Sequence, residues 1–404
     1  MKYVWLDVDP GHDDATAIML AVNLPDIQLL GVSTTHGNAS SEYTALNAAR
    51  CLFAFGSKPE DVRVFPGADQ PLLFEAKHDP EIHGVDGLGG VEGLPALDDP
   101  RVLAFFEEDA DGKRVRALEG MSRIIKQAWA KGTGHKVTVV SSGPMTNIAL
   151  FFSVYPDLIE AVEEIVFMGG GVGVGNRSSV AEYNILCDPH SSQIVLNVPV
   201  KKTMVPLNVT HTAIVTKELH SLLLDPKVEI QSQDQTELPK PTTPLRHTLS
   251  TLISFFAASY KSTFGFDSGP PLHDALTIAY VAKPELFNAT RYRVDIELSG
   301  THTVGETVVD MWKYRPCDDT WGRHGRNCLV AESLNASLLL CLCLSSFFYC
   351  LLQYVFFTLP LLLLVALNIL ILRALMSSSN SLNRSPASST FYWPRSLTVI
   401  VSAP

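Results

Sequence analysis

The sequence predicts an α/β fold with an open, mainly parallel sheet and helices on both faces: a single domain followed by an atypical apolar tail. Three observations predict it. Short apolar runs alternate with helical stretches from Met1 to about Val205, and such alternation builds a parallel sheet covered on two sides. Polar residues fall directly after the strand candidates, at the edge where ligands bind in open α/β sheets. The 404 residues suffice for one large domain with an appendage.

Val4 to Leu6 is apolar and strand-like, Pro10-Gly11 is a turn, and Ala15 to Val22 reads as a buried helix. Ile27 to Ser33, Val62 to Phe65, Lys136 to Ser141, Glu164 to Met168 and Lys202 to Val205 are the further strand candidates. Tyr43 to Ala54, Ala117 to Lys131, Asn147 to Ser153 and Pro189 to Asn197 are helix candidates. The strand ends lead into Asp7 to Asp14, Thr35 to Asn38, Ser142 to Asn147, Gly169 to Gly171 and Asn208. Their convergence on one edge argues more strongly than any single motif. Gln231 to Pro244 is polar and proline-rich, a flexible loop or linker insertion. Leu249 to Phe264 then reads as a helix carrying Tyr260.

The tail departs from this pattern. No charged residue occurs between Glu332 and Arg373. About 20 apolar residues span a bilayer, so residues 335–375 are long enough for one span or a broken pair around Pro360. Residues 376–404 are serine-rich and read as disordered. Two readings stand: a membrane anchor, or translated non-coding sequence in place of a native last helix. The abrupt, leucine-rich change of composition favours the second. The domain itself is expected to cover residues 1–334.

Formal net charge is −11, with no basic patch, which excludes nucleic acid as a partner. Of seven cysteines, Cys341, Cys343 and Cys350 sit in the apolar run, and the other four show neither zinc-ligand spacing nor a disulfide framework. The N-terminus carries no apolar core of signal-peptide length. The expected location is cytoplasmic, or membrane-associated if the tail is a span.

Asp7, Asp9, Asp13 and Asp14 lie within eight residues. A helix cap accounts for one aspartate, not four. Four crowded carboxylates repel one another unless a cation sits among them, and hard divalent ions take oxygen ligands.

The run Asp7-Val8-Asp9-Pro10-Gly11-His12-Asp13-Asp14 resembles the signature of the nucleoside hydrolase family, the calcium-dependent inosine-uridine-preferring N-ribohydrolases. Further segments resemble that family in order. They are Thr35-His36-Gly37-Asn38, Ile82-His83-Gly84 through Gly90, Ser142 to Asn147, Met168-Gly169-Gly170-Gly171 with Asn176 and Ala181-Glu182-Tyr183-Asn184, and Pro271-Leu272-His273-Asp274-Ala275. The resemblance fades after about Leu334.

The resemblance implies calcium-dependent hydrolysis of ribonucleosides to ribose and free base. It implies Ca2+ ligation by Asp9, Asp14, Asp274 and the backbone carbonyl of Ser142, with Asp9 also the general base. It implies ribose contacts from Asp13, Asn38, Asn176, Glu182 and Asn184, with Met168 lining the sugar pocket. Asp7 would support the loop. His273 is the candidate acid for the departing base and His83 the second. Tyr260 is a candidate for stacking on the base, and His12 reads as a turn residue. Pro270 to Asp274 and the His83 segment resemble pyrimidine-accepting, fungal-type members, so uridine is the first expected substrate and inosine the second. Family members are often dimers or tetramers, so a homo-oligomer is expected.

The glycines of Gly169 to Gly175 form no phosphate-binding fingerprint; backbone freedom close to a sugar accounts for them. A haloacid-dehalogenase-like phosphatase would also use Asp7-x-Asp9. It expects Thr or Val where Pro10-Gly11 stand and leaves His273-Asp274 without a role. The remaining alternatives are a membrane-anchored nucleoside- or ribose-binding protein and an inactive product with a disrupted C-terminus.

Overall fold

A computed structural model describes residues 1–228 and 237–335 of the chain. The apolar tail from residue 336 onward and the first part of the Gln231–Pro244 insertion, residues 231–236, lie outside the described residues. Among the described residues no helix is long and apolar enough to cross a membrane.

Ten strands occur among the described residues. In chain order they are β1 (Lys2–Val8), β2 (Ile27–Thr34), β3 (Val64–Pro66), β4 (Val137–Ser141), β5 (Val162–Met168), β6 (Lys201–Val205), β7 (Phe287–Tyr292), β8 (Val294–Ile296), β9 (Thr307–Val309) and β10 (Cys328–Leu334). Eight of them form one sheet in the order β3-β2-β1-β4-β5-β6-β10-β7. Every neighbouring pair is parallel except β10 with β7. β8 and β9 make a separate antiparallel pair.

Side-chain alternation along β1 explains the layering. Val4, Leu6 and Val8 enter one hydrophobic cluster with helices His12–Asn23, Ser41–Ala54 and Ala275–Ala282. Trp5 points the other way, into a second cluster with helices Ala117–Trp129, Thr146–Val154 and Pro189–Asn197. The sheet is thus buried on both faces, as parallel sheets require.

The sheet order reverses between β1 and β4: the chain runs outward one way through β2 and β3 and the other way through β5 and β6. Such a switch point opens a crevice at the carboxyl ends of the two strands. Asp9 follows β1 there and Ser142 follows β4.

The strand candidates up to Val205 match β1 to β6 to within two residues at most ends. The four later strands were not read from sequence. β7, Phe-Asn-Ala-Thr-Arg-Tyr, is an edge strand with a half-exposed, polar middle, so it lacks the apolar run that marks a central strand.

Candidate active site

β1 delivers its acids to the start of helix His12–Asn23. Asp14 Oδ2 accepts the Gly11 N–H at 2.9 Å, an acidic group placed where a helix start favours it. The loop after β2 closes over the same place. Asn38 N–H donates to Asp9 Oδ2 at 2.8 Å, and Asn38 Nδ2 donates at 3.1 Å both to the Asp9 carbonyl and to Asp14 Oδ2. Asp7 lies deeper, accepting from Ser33 Oγ and from Asn147 Nδ2. A side chain at Gly143 would overlap the Asp9 carboxylate, so the loop after β4 needs glycine there.

Asp274 arrives from the distant end of the chain, just before helix Ala275–Ala282. Carboxylate oxygens of Asp13, Asp14 and Asp274 all lie within 4.8 Å of one another. Burial raises the proton affinity of all three, and neighbouring carboxylates add to it at Asp13 and Asp274. Asp14 is pushed up to about 6 by burial. Asp13 rises to about 8, through burial and then the charge of Asp14. Asp9 and Asp274 stand well above the usual carboxylate range, through burial and then neighbouring aspartates. Asp9 Oδ1, Asp13 Oδ1 and Ser142 Oγ are buried with no hydrogen-bond partner. Buried polar atoms are normally satisfied. A donor set of oxygens only, partly orphaned and mutually repelling, fits a hard divalent cation.

A cavity opens beside this cluster. Of the residues expected from sequence, Asp13, Asn38, His83, Ser142, Met168, Asn176, Glu182, Asn184, Tyr260, His273 and Asp274 line it. Asp9 and Asp14 are fully buried behind its wall. Glu182 caps helix Tyr183–Cys187, accepting the backbone N–H groups of Asn184 and Ile185, and also that of Gly170. Asn184 Nδ2 donates to the Ser142 carbonyl at 2.7 Å. Asn176 Oδ1 accepts the Tyr183 N–H at 2.9 Å. Asn208, the polar residue after β6, instead braces the glycine loop at Val172.

The cavity wall also carries an aromatic group. The Tyr260 ring packs against Phe256, Phe264 and Phe266, and its hydroxyl lies 2.6 Å from His273 Nε2. His273 Nδ1 lies 2.8 Å from Thr210 Oγ1, whose hydroxyl reaches the Leu207 carbonyl. His83 Nδ1 faces the His12 backbone N–H at 3.3 Å, an obligatory donor, so the His83 proton sits on Nε2. Burial holds both His83 and His273 well below the ordinary imidazole range.

His12 is more than a turn residue. Its ring stacks on His83, Phe255 and Phe256, and its Nε2 reaches the Gly89 carbonyl at 3.0 Å. Sequence reasoning also missed Thr210, Ile82, Phe264 and the Arg177–Asp79 ion pair. Only the position of Arg177 beside Asn176, and of Asp79 and Ile82 just before His83, could have flagged them.

The sequence profile described as inosine-uridine preferring nucleoside hydrolase matches residues 4–340. A probable ribonucleoside hydrolase of Dictyostelium discoideum is 36% identical over 316 residues, covering 76% of this chain and 85% of that protein. A pyrimidine-specific ribonucleoside hydrolase of Shewanella woodyi is 38% identical over 308 residues, covering 76% and 88%. The solved structure of a purine-preferring ribonucleoside hydrolase from Gardnerella vaginalis superposes with a TM-score of 0.70 at 25% identity, over 86% of this chain and 99% of that one. The phosphatase reading falls away. With carboxylates and histidines together in the wall of its cavity, the chain belongs to the inosine-uridine preferring nucleoside hydrolase family, as a nucleosidase that cleaves the N-glycosidic bond of ribonucleosides.

Proposed function

We propose that this nucleosidase is calcium-dependent and takes uridine first and inosine second. One observation carries the reading: Asp13, Asp14 and Asp274 converge beside a cavity whose wall also holds His83 and the Tyr260–His273 pair. Ca2+ would be held by Asp9, Asp14, Asp274 and the Ser142 carbonyl, with Asp13 beside it. Bound there, the ion supplies acidity to a water and a grip on the ribose diol.

The chain's own groups account for the remaining chemistry. Asp9 Oδ1, the unpartnered oxygen, accepts the proton of the attacking water; its burial favours the protonated form. Asp13, Asn38, Asn176, Glu182 and Asn184 hold the ribose hydroxyls, and Met168 packs on the sugar. This grip favours the oxocarbenium-like sugar through which glycosidic bonds break. The departing base needs a proton. His273 is engaged on both nitrogens: in its protonated form it passes the Nε2–H to the Tyr260 oxygen as the Tyr260 O–H passes to the base, leaving a neutral imidazole, and His83 Nε2–H is the second donor in the wall. The pyrimidine preference rests on the similarity to the pyrimidine-specific relative.

The test is release of free ribose from uridine and inosine by the purified chain, with and without a calcium chelator. Chelator-sensitive release supports the reading and ranks the two substrates. No release from a folded sample would leave a nucleoside-binding protein or an inactive product.

A further inference from the structure

The loop after β5 lines the cavity at Asn176 and Arg177 and is tied there to Asp79. Its Arg177 side chain, 20% exposed, pairs with Asp79, 11% exposed. Arg177 Nε donates to Asp79 Oδ2 at 3.2 Å, and Nη2 donates to both Asp79 oxygens. The guanidinium carbon stands 5.4 Å from the centre of the Phe264 ring. The carboxylate fork and the aromatic face therefore fix the guanidinium plane before any ligand enters. Nη1 is held differently: it lies 3.6 Å from the exposed carboxylate of Glu81, beyond hydrogen-bond distance. Arg177 and Phe264 line the cavity together with Ile82, His83 and Tyr260.

A guanidinium is donor-only and stays charged. It hydrogen-bonds an exocyclic carbonyl oxygen and cannot accept from an exocyclic amino group. We propose that Arg177, aimed by Asp79 and Phe264, is a specificity-determining residue that selects nucleosides whose base carries an exocyclic carbonyl where cytosine or adenine carries an amino group. This rests on the ribonucleoside reading above and adds to it the group that reads the base.

The experiment compares kcat/KM for uridine, cytidine, inosine and adenosine in the full chain, in Arg177→Met and in Arg177→Lys, with folding checked by thermal melting. Arg177→Met is expected to lower uridine and inosine by roughly ten- to hundredfold, the worth of a hydrogen bond to a charged donor. Cytidine and adenosine should change little, so the discrimination collapses. Arg177→Lys keeps a donor-only cation and should keep the preference with a higher KM, which covers a poorly folding Met variant. Equal losses on all four nucleosides, or an unmodified chain without carbonyl preference, overturn the proposal. Calorimetric binding of uracil against cytosine reads the same preference without turnover. Arg177-dependent uracil binding in a chain that releases no ribose would sink the hydrolysis reading and keep this one; indifference to the two bases would sink this one.

Discussion

Tyr260 and His273 share a 2.6 Å hydrogen bond in the cavity wall, and Thr210 occupies the other nitrogen of the same imidazole at 2.8 Å. The imidazole is thus held at both of its nitrogens, and the Tyr260 hydroxyl stands between it and the rest of the cavity wall in the proposed acid role. Tyr260→Phe should lower kcat by roughly 10²- to 10⁴-fold, the range for a positioned general acid, with melting temperature little changed. His273→Ala should act similarly, most on nucleosides with poor leaving groups. Thr210→Val should cost less than either. Steady-state kinetics on uridine, with a nucleoside bearing an activated leaving group as control, checks this. Equal losses on both substrates would remove the acid role.

Asp9→Ala and Asp274→Asn should each abolish measurable ribose release. Asp274→Asn should also raise the melting temperature of the chelated protein, because it removes one of several buried, mutually repelling carboxylates. A variant that turns over normally, or that melts lower without the ion, would contradict the site described here.

Calcium should stabilise the protein more as pH rises. Without an ion, burial holds Asp14 at about 6, Asp7 at about 7 and Asp13 at about 8, all above the ordinary 3.8. A raised folded pKa gives stability that is complete below about pH 3.8 and lost as pH climbs through 6 to 8. An ion binds the deprotonated forms and removes that loss. His36 and His220, pulled down to about 4 by burial, act in the opposite sense between pH 4 and 6.5, but equally with and without the ion. The difference in melting temperature between calcium-loaded and chelated samples should therefore grow from about pH 5 to pH 8. A flat difference would refute the linkage.

Lys202 is fully buried, and its Nζ donates to the carbonyls of Val198, Val200 and Trp321. The ammonium joins the end of helix Pro189–Asn197 to the segment before β10. Lys202→Met leaves three carbonyls without that donor and should cost about 2–4 kcal/mol, at 1–3 kcal/mol for each polar group left unsatisfied with partial relaxation. Chemical denaturation measures it. A loss below about 1 kcal/mol would mean that water replaces the amine.

The sequence by itself determined the alternation of strands and helices to Val205 and the family, and it named most of the residues that the fold gathers around one cavity. Apolar periodicity and crowded carboxylates are local signals: Asp7 to Asp14 repel one another in any conformation, so their need for a cation is written in eight residues. Base-end contacts were less legible. Thr210 looks like any polar residue after a strand, and Arg177 like any charged loop residue. β7 and β10 pair at the sheet's edge without an apolar run to announce them.

The tertiary structure decided which distant groups meet. The reversal of sheet order between β1 and β4 opens the crevice at Asp9 and Ser142, and packing of helix Ala275–Ala282 against helix His12–Asn23 carries Asp274 to Asp13 and Asp14. It also turned His12 from a turn residue into a buried ring against His83, and set Tyr260 on His273. These contacts join residues up to about 260 positions apart. Their energy is that of burial and hydrogen bonding in the finished core, which no local pattern encodes.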